Sequence, residues 1–252
     1  MYKFFPKNIL NIKEIKKSQI KYGVIILNNL IKLDPLHMET LWKNSMVNIT
    51  VDGGTNGWLN FLKKNNLEEK LQDPNLITGD LDSCHAETLT YFKDVKIIQS
   101  NDQNENDFSK SLRALEPLCK EFNLNQVVVV TDNSGRLDQI MSNINTLYKN
   151  HLKLKEHIRP AYMLTSTELS WLLPKGKSEI HIPECAKKQK CALMPVGRPT
   201  VVSTEGLKWN LKKDEMKFGG LVSTSNKIDK QTDVVKIESD FPILWSMGIR
   251  DD

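Results

Sequence analysis

Two carboxylates one residue apart, Asp80 and Asp82, stand in the stretch Leu76-Ile77-Thr78-Gly79-Asp80-Leu81-Asp82-Ser83. In an extended chain, residues two apart point the same way, so the pair can converge on one point. Like charges held that close repel unless a cation or a proton lies between them. A divalent metal carrying phosphate meets that need. A solvated turn meets it too, since Gly-Asp and Asp-Ser are ordinary turn chemistry. Other residues of the same kind decide between the two. Asp52 precedes Gly53-Gly54-Thr55-Asn56, where a glycine pair lets a ligand approach the backbone. Asp102 and Asp107 flank Gln103 and are followed by Lys110; Gly135 is followed by Arg136, Asp138 and Gln139. Asp107 opens a helix, where an acid also complements the helix dipole.

The elements around these residues place them together. Tyr22–Leu27, Met46–Val51, the run at Leu76-Ile77, Val95–Ile98 and Gln126–Val130 read as short apolar strands, and stretches of helical spacing alternate with them. The helix after Asp107 has one apolar stripe, Phe108, Leu112, Leu115, Cys119 and Phe122. Four consecutive valines, 127–130, need cover on both faces, which predicts a central parallel strand. A helix carrying Ile140, Ile144 and Leu147 follows it. Strands alternating with helices predict a parallel α/β sheet, and right-handed crossovers put the strand-end loops along one edge. Asp52, Asp80, Asp82, Asp107, Arg136 and Asp138 all lie in such loops. In open α/β sheets that edge is where ligands sit, and a cluster of acids with one Arg and one Lys suits metal and phosphate.

Past residue 153 the texture changes. Ala161–Leu164 fits a last strand of the first sheet. Short strand candidates then recur: Leu169–Leu173, Glu179–Ile182, Cys191–Met194, Thr200–Ser203, Val234–Ile237 and Ile243–Ile249. Turn residues at intervals of about 8–12 positions predict an antiparallel β-sandwich. The fold class is therefore α/β: a three-layer parallel-sheet domain over residues 1–166, then a β-sandwich over 167–252. Residues 1–20, rich in lysine, read as an irregular or helical lead-in.

The 252 residues carry a net charge of +4, with lysines spread along the chain, which argues against a dedicated nucleic-acid binder and still suits an anionic small substrate. No apolar run reaches the roughly 20 residues of a membrane helix. The four cysteines form no Cys-x-x-Cys pair and read as free thiols, and with no signal-peptide pattern the expected location is cytoplasmic. His181 alternates with Ile180 and Ile182, a strand residue without a ligand role.

Together these motifs resemble the eukaryotic-type thiamin pyrophosphokinases (thiamin diphosphokinases). The resemblance runs from about Tyr22 to Arg250. It rests on Val51-Asp52-Gly53-Gly54-Thr55-Asn56, Gly79-Asp80-Leu81-Asp82-Ser83, Asp102-Gln103 with Asn106-Asp107-Phe108-Ser109-Lys110, and Gly135-Arg136-Leu137-Asp138-Gln139. In the second half it rests on Pro195-Val196-Gly197, Gly206-Leu207-Lys208-Trp209-Asn210-Leu211 and Leu221-Val222-Ser223-Thr224-Ser225-Asn226. The resemblance implies an α/β catalytic domain, a β-sandwich and a homodimer with thiamin near the subunit interface. It implies Mg²⁺-dependent transfer of a diphosphate from ATP to the thiamin hydroxyl, giving thiamin diphosphate and AMP. It further implies Asp52, Asp80, Asp82 and Asp107 as metal and catalytic carboxylates, the metal falling to Asp80, Asp82 and Asp107. Gln103, Lys110, Arg136 and Gln139 would face the phosphates, with Asp138 at the edge of the site. Trp209, Ser225 and Asn226 would hold thiamin.

Two positions depart from the family's pattern. Thr131-Asp132 stands where a glycine pair is usual, and an added acid there would repel a triphosphate unless metal-bound. Asn106 replaces a threonine. The first departure keeps open a catalytically weakened dimer that binds thiamin or nucleotide; the acid cluster itself leaves open a metal-dependent phosphohydrolase. A Walker-type kinase is disfavoured, because no Gly-x-x-x-x-Gly-Lys-Ser/Thr occurs.

Overall fold

A computed structural model describes residues 1–100, 102, 104–153 and 160–249. In chain order the first elements are β1 (Tyr2–Phe4), α1 (Lys7–Leu10), α2 (Ile12–Lys17), β2 (Tyr22–Ile26), α3 (Pro35–Asn44), β3 (Val47–Val51) and α4 (Gly54–Asn65). Next come β4 (Leu76–Gly79), α5 (Ala86–Tyr91), β5 (Ile97–Gln99), α6 (Asp107–Glu121), β6 (Gln126–Val130), α7 (Leu137–Lys153) and β7 (Ala161–Leu164). The rest is strand apart from one 3-10 turn (Glu184–Ala186): β8 (Glu168–Leu173), β9 (Gly176–His181), β10 (Lys190–Met194), β11 (Thr200–Glu205), β12 (Lys212–Met216), β13 (Ser223–Lys227), β14 (Val234–Ser239) and β15 (Ile243–Gly248). The chain forms two compact units. One holds Gln19–Thr146 with Arg159–Ser166; the other holds Met1–Ser18, Leu147–Ile158 and Thr167–Asp252.

The first unit is a parallel sheet in the order β7-β6-β2-β3-β4-β5, with a helix between each successive pair of strands from β2 to β6. Ile25 in β2 pairs with Ile49 on one side and Val129 on the other. Strands β2, β3, β4, β6 and β7 are buried along their whole length, as their unbroken apolar runs require. Trp42 of α3 stacks on Trp58 of α4 at 3.8 Å between ring centroids, and its indole N–H donates to the Gln72 carbonyl. The chain lays β2, β3, β4 and β5 outward in one direction, then crosses back over β2 to add β6 and β7. The direction of winding therefore reverses between β2 and β6.

The second unit has two groups of strands, β1-β9-β14-β11-β12 and β13-β10-β15-β8. All their pairings are antiparallel except β1 with β9. Alternating burial along β11 and β14 gives one inward and one outward face. Trp171 of β8 lies opposite Trp245 of β15, and Phe4 of β1 packs 5.7 Å from the Trp171 ring. His181 lies in β9 with its ring stacked on Phe5.

Three features differ from the sequence expectation. Residues 1–18, expected as an irregular or helical lead-in, hold the short helices α1 and α2 but also add strand β1 to the other unit and bury Ile9 and Ile15. The remaining two are β12 and β13, Lys-Lys-Asp-Glu-Met and Ser-Thr-Ser-Asn-Lys, whose composition carries no strand signal. Both are edge strands with mostly exposed or half-exposed side chains, so ladder hydrogen bonds hold them more than burial does. No helix among the described residues is long and apolar enough to cross a membrane.

Candidate active site

Asp52, Asp80 and Asp82 sit at the carboxyl ends of β3 and β4, and one carboxylate oxygen of each lies within 4.8 Å of the others. Local backbone geometry makes the approach possible. Asp52 has φ 47°, a left-handed conformation that a short polar side chain tolerates. Gly79 has φ 127°, and a Cβ there would stand 3.0 Å from the Asp52 Cβ, so only glycine lets β4 end this close to β3. Asp52 is buried, Asp80 half-buried and Asp82 exposed. The Asp80 carboxylate accepts from the Asp82 backbone N–H at 3.3 Å, and Ser83 donates its hydroxyl to Asp82.

Both Asp52 oxygens have donors. Asn28 Nδ2 donates to Oδ2 at 3.1 Å and the Ser83 backbone N–H donates to Oδ1 at 3.1 Å. Asn28 therefore belongs to the site, though the sequence reading passed over it. It too follows a strand, but it carries no charge to draw notice. Asn56 secures the same loop, donating to the Ser83 carbonyl and accepting from the His85 N–H. Cys84 donates to the Asp52 carbonyl, and burial pushes its thiol up to about 11, with Asp52, Asp80 and Asp82 adding to the rise against a hydrogen bond with Thr55. The thiol is accordingly neutral near pH 7.

Asp107 opens α6, and Lys110, one turn on and almost fully buried, holds its Nζ 3.4 Å from the Asp107 carboxylate. Burial lifts the Asp107 carboxyl above its ordinary range, Lys110 opposes that, and the charges of Asp80 and Asp52 raise it further. Asp107 is thus within electrostatic reach of Asp80 and Asp52, two of the three clustered acids. Asn106 caps the helix by accepting from the Ser109 N–H at 2.8 Å, and its amide donates to Ser142 of α7. Gln103 lies outside the described residues.

At the end of β6, Arg136 and Asp138 are both exposed and form an ion pair with each other, and Gln139 is exposed one residue on. The described contacts do not bring these three to the acid cluster. Asp132 has a partner the sequence did not reveal: Lys32 Nζ lies 2.6 Å from its carboxylate. Burial alone would raise the Asp132 carboxyl, but Lys32 and Ser134 hold it below the usual range.

In the second unit, Trp209 is 53% exposed, so it is not core packing. Buried Asn226 holds it from behind: Oδ1 accepts from the Trp209 N–H at 3.2 Å and Nδ2 donates to the Trp209 carbonyl at 2.7 Å. Lys208 Nζ stands 4.4 Å from the indole centroid. Ser225 is exposed beside Asn226. This is a flat aromatic surface pinned by its own backbone, the geometry a planar ligand would use.

Two family models match the chain in order: the thiamin pyrophosphokinase catalytic domain over residues 38–159 and the thiamin pyrophosphokinase vitamin B1 binding domain over residues 177–244. Thiamine pyrophosphokinase 1 of Oryza sativa subsp. japonica is 33% identical over 244 residues, covering 91% of this chain and 88% of the relative. Thiamine pyrophosphokinase 2 of Arabidopsis thaliana is 31% identical over 250 residues, covering 91% and 87%. Among solved structures, the thiamin pyrophosphokinase from Candida albicans superposes with a TM-score of 0.82 at 22% identity, covering 98% of this chain and 92% of that one, which shows the shared fold. With both regions matched in sequence and relatives above 30% identity aligned along nine-tenths of its length, the chain belongs to the thiamin pyrophosphokinase family.

Proposed function

We propose that this enzyme transfers the diphosphate group of ATP to the hydroxyl of thiamin, releasing AMP. The observation that carries the reading is the convergence of Asp52, Asp80 and Asp82 at adjoining strand ends. In the reaction the thiamin hydroxyl oxygen bonds to the β-phosphorus, the bond from that phosphorus to the α–β bridging oxygen breaks, and the hydroxyl proton leaves. Such transfer depends on positioning and on neutralising charge.

Hard carboxylate oxygens gathered this closely suit Mg²⁺, which takes one or two carboxylates and fills its shell with water and phosphate oxygens. Asp80 and Asp82 would hold it, with Asp107 alongside. When bound, Mg²⁺ would offset the polyphosphate charge. Asp52, with both oxygens engaged, positions the loop that carries the other two. Lys110, Arg136, Gln139 and Gln103 would face phosphate; Arg136 would exchange Asp138 for a phosphate oxygen. Trp209 would lie against the thiamin ring, held by Asn226, with Ser225 at the rim. The active form would be a homodimer with thiamin near the interface, working in the cytoplasm, where its four free cysteines stay reduced. Asp132, the residue behind the weakened-enzyme alternative, carries Lys32 as counter-charge, so no particular observation favours that alternative.

The test is incubation of the protein with ATP, Mg²⁺ and thiamin, followed by separation of the products. Thiamin diphosphate and AMP should appear in equal amounts. ADP in place of AMP, or no thiamin diphosphate, would overturn the reading. Phosphate release without thiamin would indicate a phosphohydrolase.

A further inference from the structure

The winding of the parallel sheet reverses between β2 and β6, and open α/β sheets bind ligands in the crevice at such a reversal. Here the two loops bordering that crevice are tied together. The Leu27 N–H donates to the Val130 carbonyl, extending the ladder by one rung. Beyond it, Asn29 Nδ2 donates to the Thr131 hydroxyl at 3.3 Å. Further out, Lys32 Nζ reaches the Asp132 carboxylate at 2.6 Å and the Ser134 hydroxyl at 3.1 Å. Ser134 in turn donates to Asp132 through both its hydroxyl and its backbone N–H. Asn28, one residue before Asn29, holds Asp52, so the tied loop also supports the acid cluster.

An acid at position 132 places negative charge at the mouth of a crevice that, on the function proposed above, admits a polyphosphate. We propose that Lys32 and Asp132 form a charge-compensated clasp across this crevice, and that Lys32 keeps the site accessible to a nucleoside triphosphate by cancelling Asp132. Lys32 is a positioning and compensating residue here, separate from the groups that contact phosphate.

The inference rests on nucleotide binding at this edge and predicts a sign pattern. Lys32→Met leaves Asp132 bare, so the Kd and KM for ATP rise about fivefold or more while kcat and the KM for thiamin change less. Asp132→Asn leaves Lys32 without its counter-charge, and ATP binds more tightly than to the wild type. The double variant Lys32→Met, Asp132→Asn returns to near the wild-type affinity. Added salt shrinks all three differences. Calorimetric titration with ATP in the absence of thiamin reads the Kd values directly. Unchanged ATP affinity in Lys32→Met would overturn the clasp. So would a double variant as weak as Lys32→Met, because Lys32 would then be a phosphate contact itself. A wild type that binds ATP yet forms no thiamin diphosphate would sink the function reading, and the Kd pattern would still decide on the clasp.

Discussion

Asp52 and Asp82 share a cluster but not a task. Asp52 is buried with a donor on each oxygen, whereas Asp82 is exposed and, among the described residues, its carboxylate accepts from the neighbouring Ser83 hydroxyl. Asp82→Asn should therefore cut transfer about a hundredfold or more while changing unfolding free energy by about 0.5 kcal/mol or less. A product assay beside a urea titration checks both halves; retained activity would remove Asp82 from the metal site. The acids were legible in the sequence because charge at a strand end is conspicuous and two-residue spacing has a geometric meaning. Asn28 and Lys32 were not. One is uncharged, the other is one lysine among many, and each acquires its role from a partner at least 24 residues away in the chain.

Among the elements, α6 shows how a departure from the family pattern is accommodated. Asn106 at its start caps the helix by accepting, as a threonine could, and its amide donates to both the carbonyl and the hydroxyl of Ser142 of α7, two donations where a threonine has a single O–H to give. Asn106→Ala should cost about 1–2 kcal/mol in urea unfolding and, by loosening Asp107, lower activity as well. A second element-level device ties the start of β11 to the turn after β14. Asp240 accepts from the Thr200 hydroxyl and the Val201 N–H, both at 2.7 Å. Burial works to raise its carboxyl, yet these bonds and nearby Lys175 leave it below the usual range. A carboxyl lowered on folding stabilises the fold above its unfolded value, and that contribution disappears as pH falls through the folded one. Asp240→Asn should thus be less stable than wild type at pH 7, by about 1 kcal/mol or less, and the gap should narrow on acidification. Thermal melts from pH 7 downward measure it; a gap that widens in acid would reverse the sign. Strands with apolar runs, such as β6, announced themselves. Strands β12 and β13 did not, because an edge strand can be built from polar residues once a neighbour supplies its hydrogen bonds.

For the whole molecule, alternating strands and helices followed by regularly broken strands announced the two-part architecture. They did not reveal that the first 18 residues belong with the last part, since a three-residue strand, Tyr2–Phe4, has no readable period. Deleting residues 1–18 removes Phe4, Ile9 and Ile15 from the core and should cost the second unit about 3 kcal/mol or more. Hydrogen exchange would show faster amides in β9 and β14, with β2 and β3 little changed; equal loss in both units would mean they unfold together. The same arrangement bears on biosynthesis. The two stretches of the α/β unit, Gln19–Thr146 and Arg159–Ser166, fall between the first and last stretches of the other unit, and β1 pairs with a strand that begins at Gly176. At ribosomal speeds of about 5–20 residues per second, the emerged N-terminal segment waits roughly ten to thirty seconds for that partner to be made. All of β2 to β7 is synthesised before that partner, so the α/β unit has time to fold while β1 still waits.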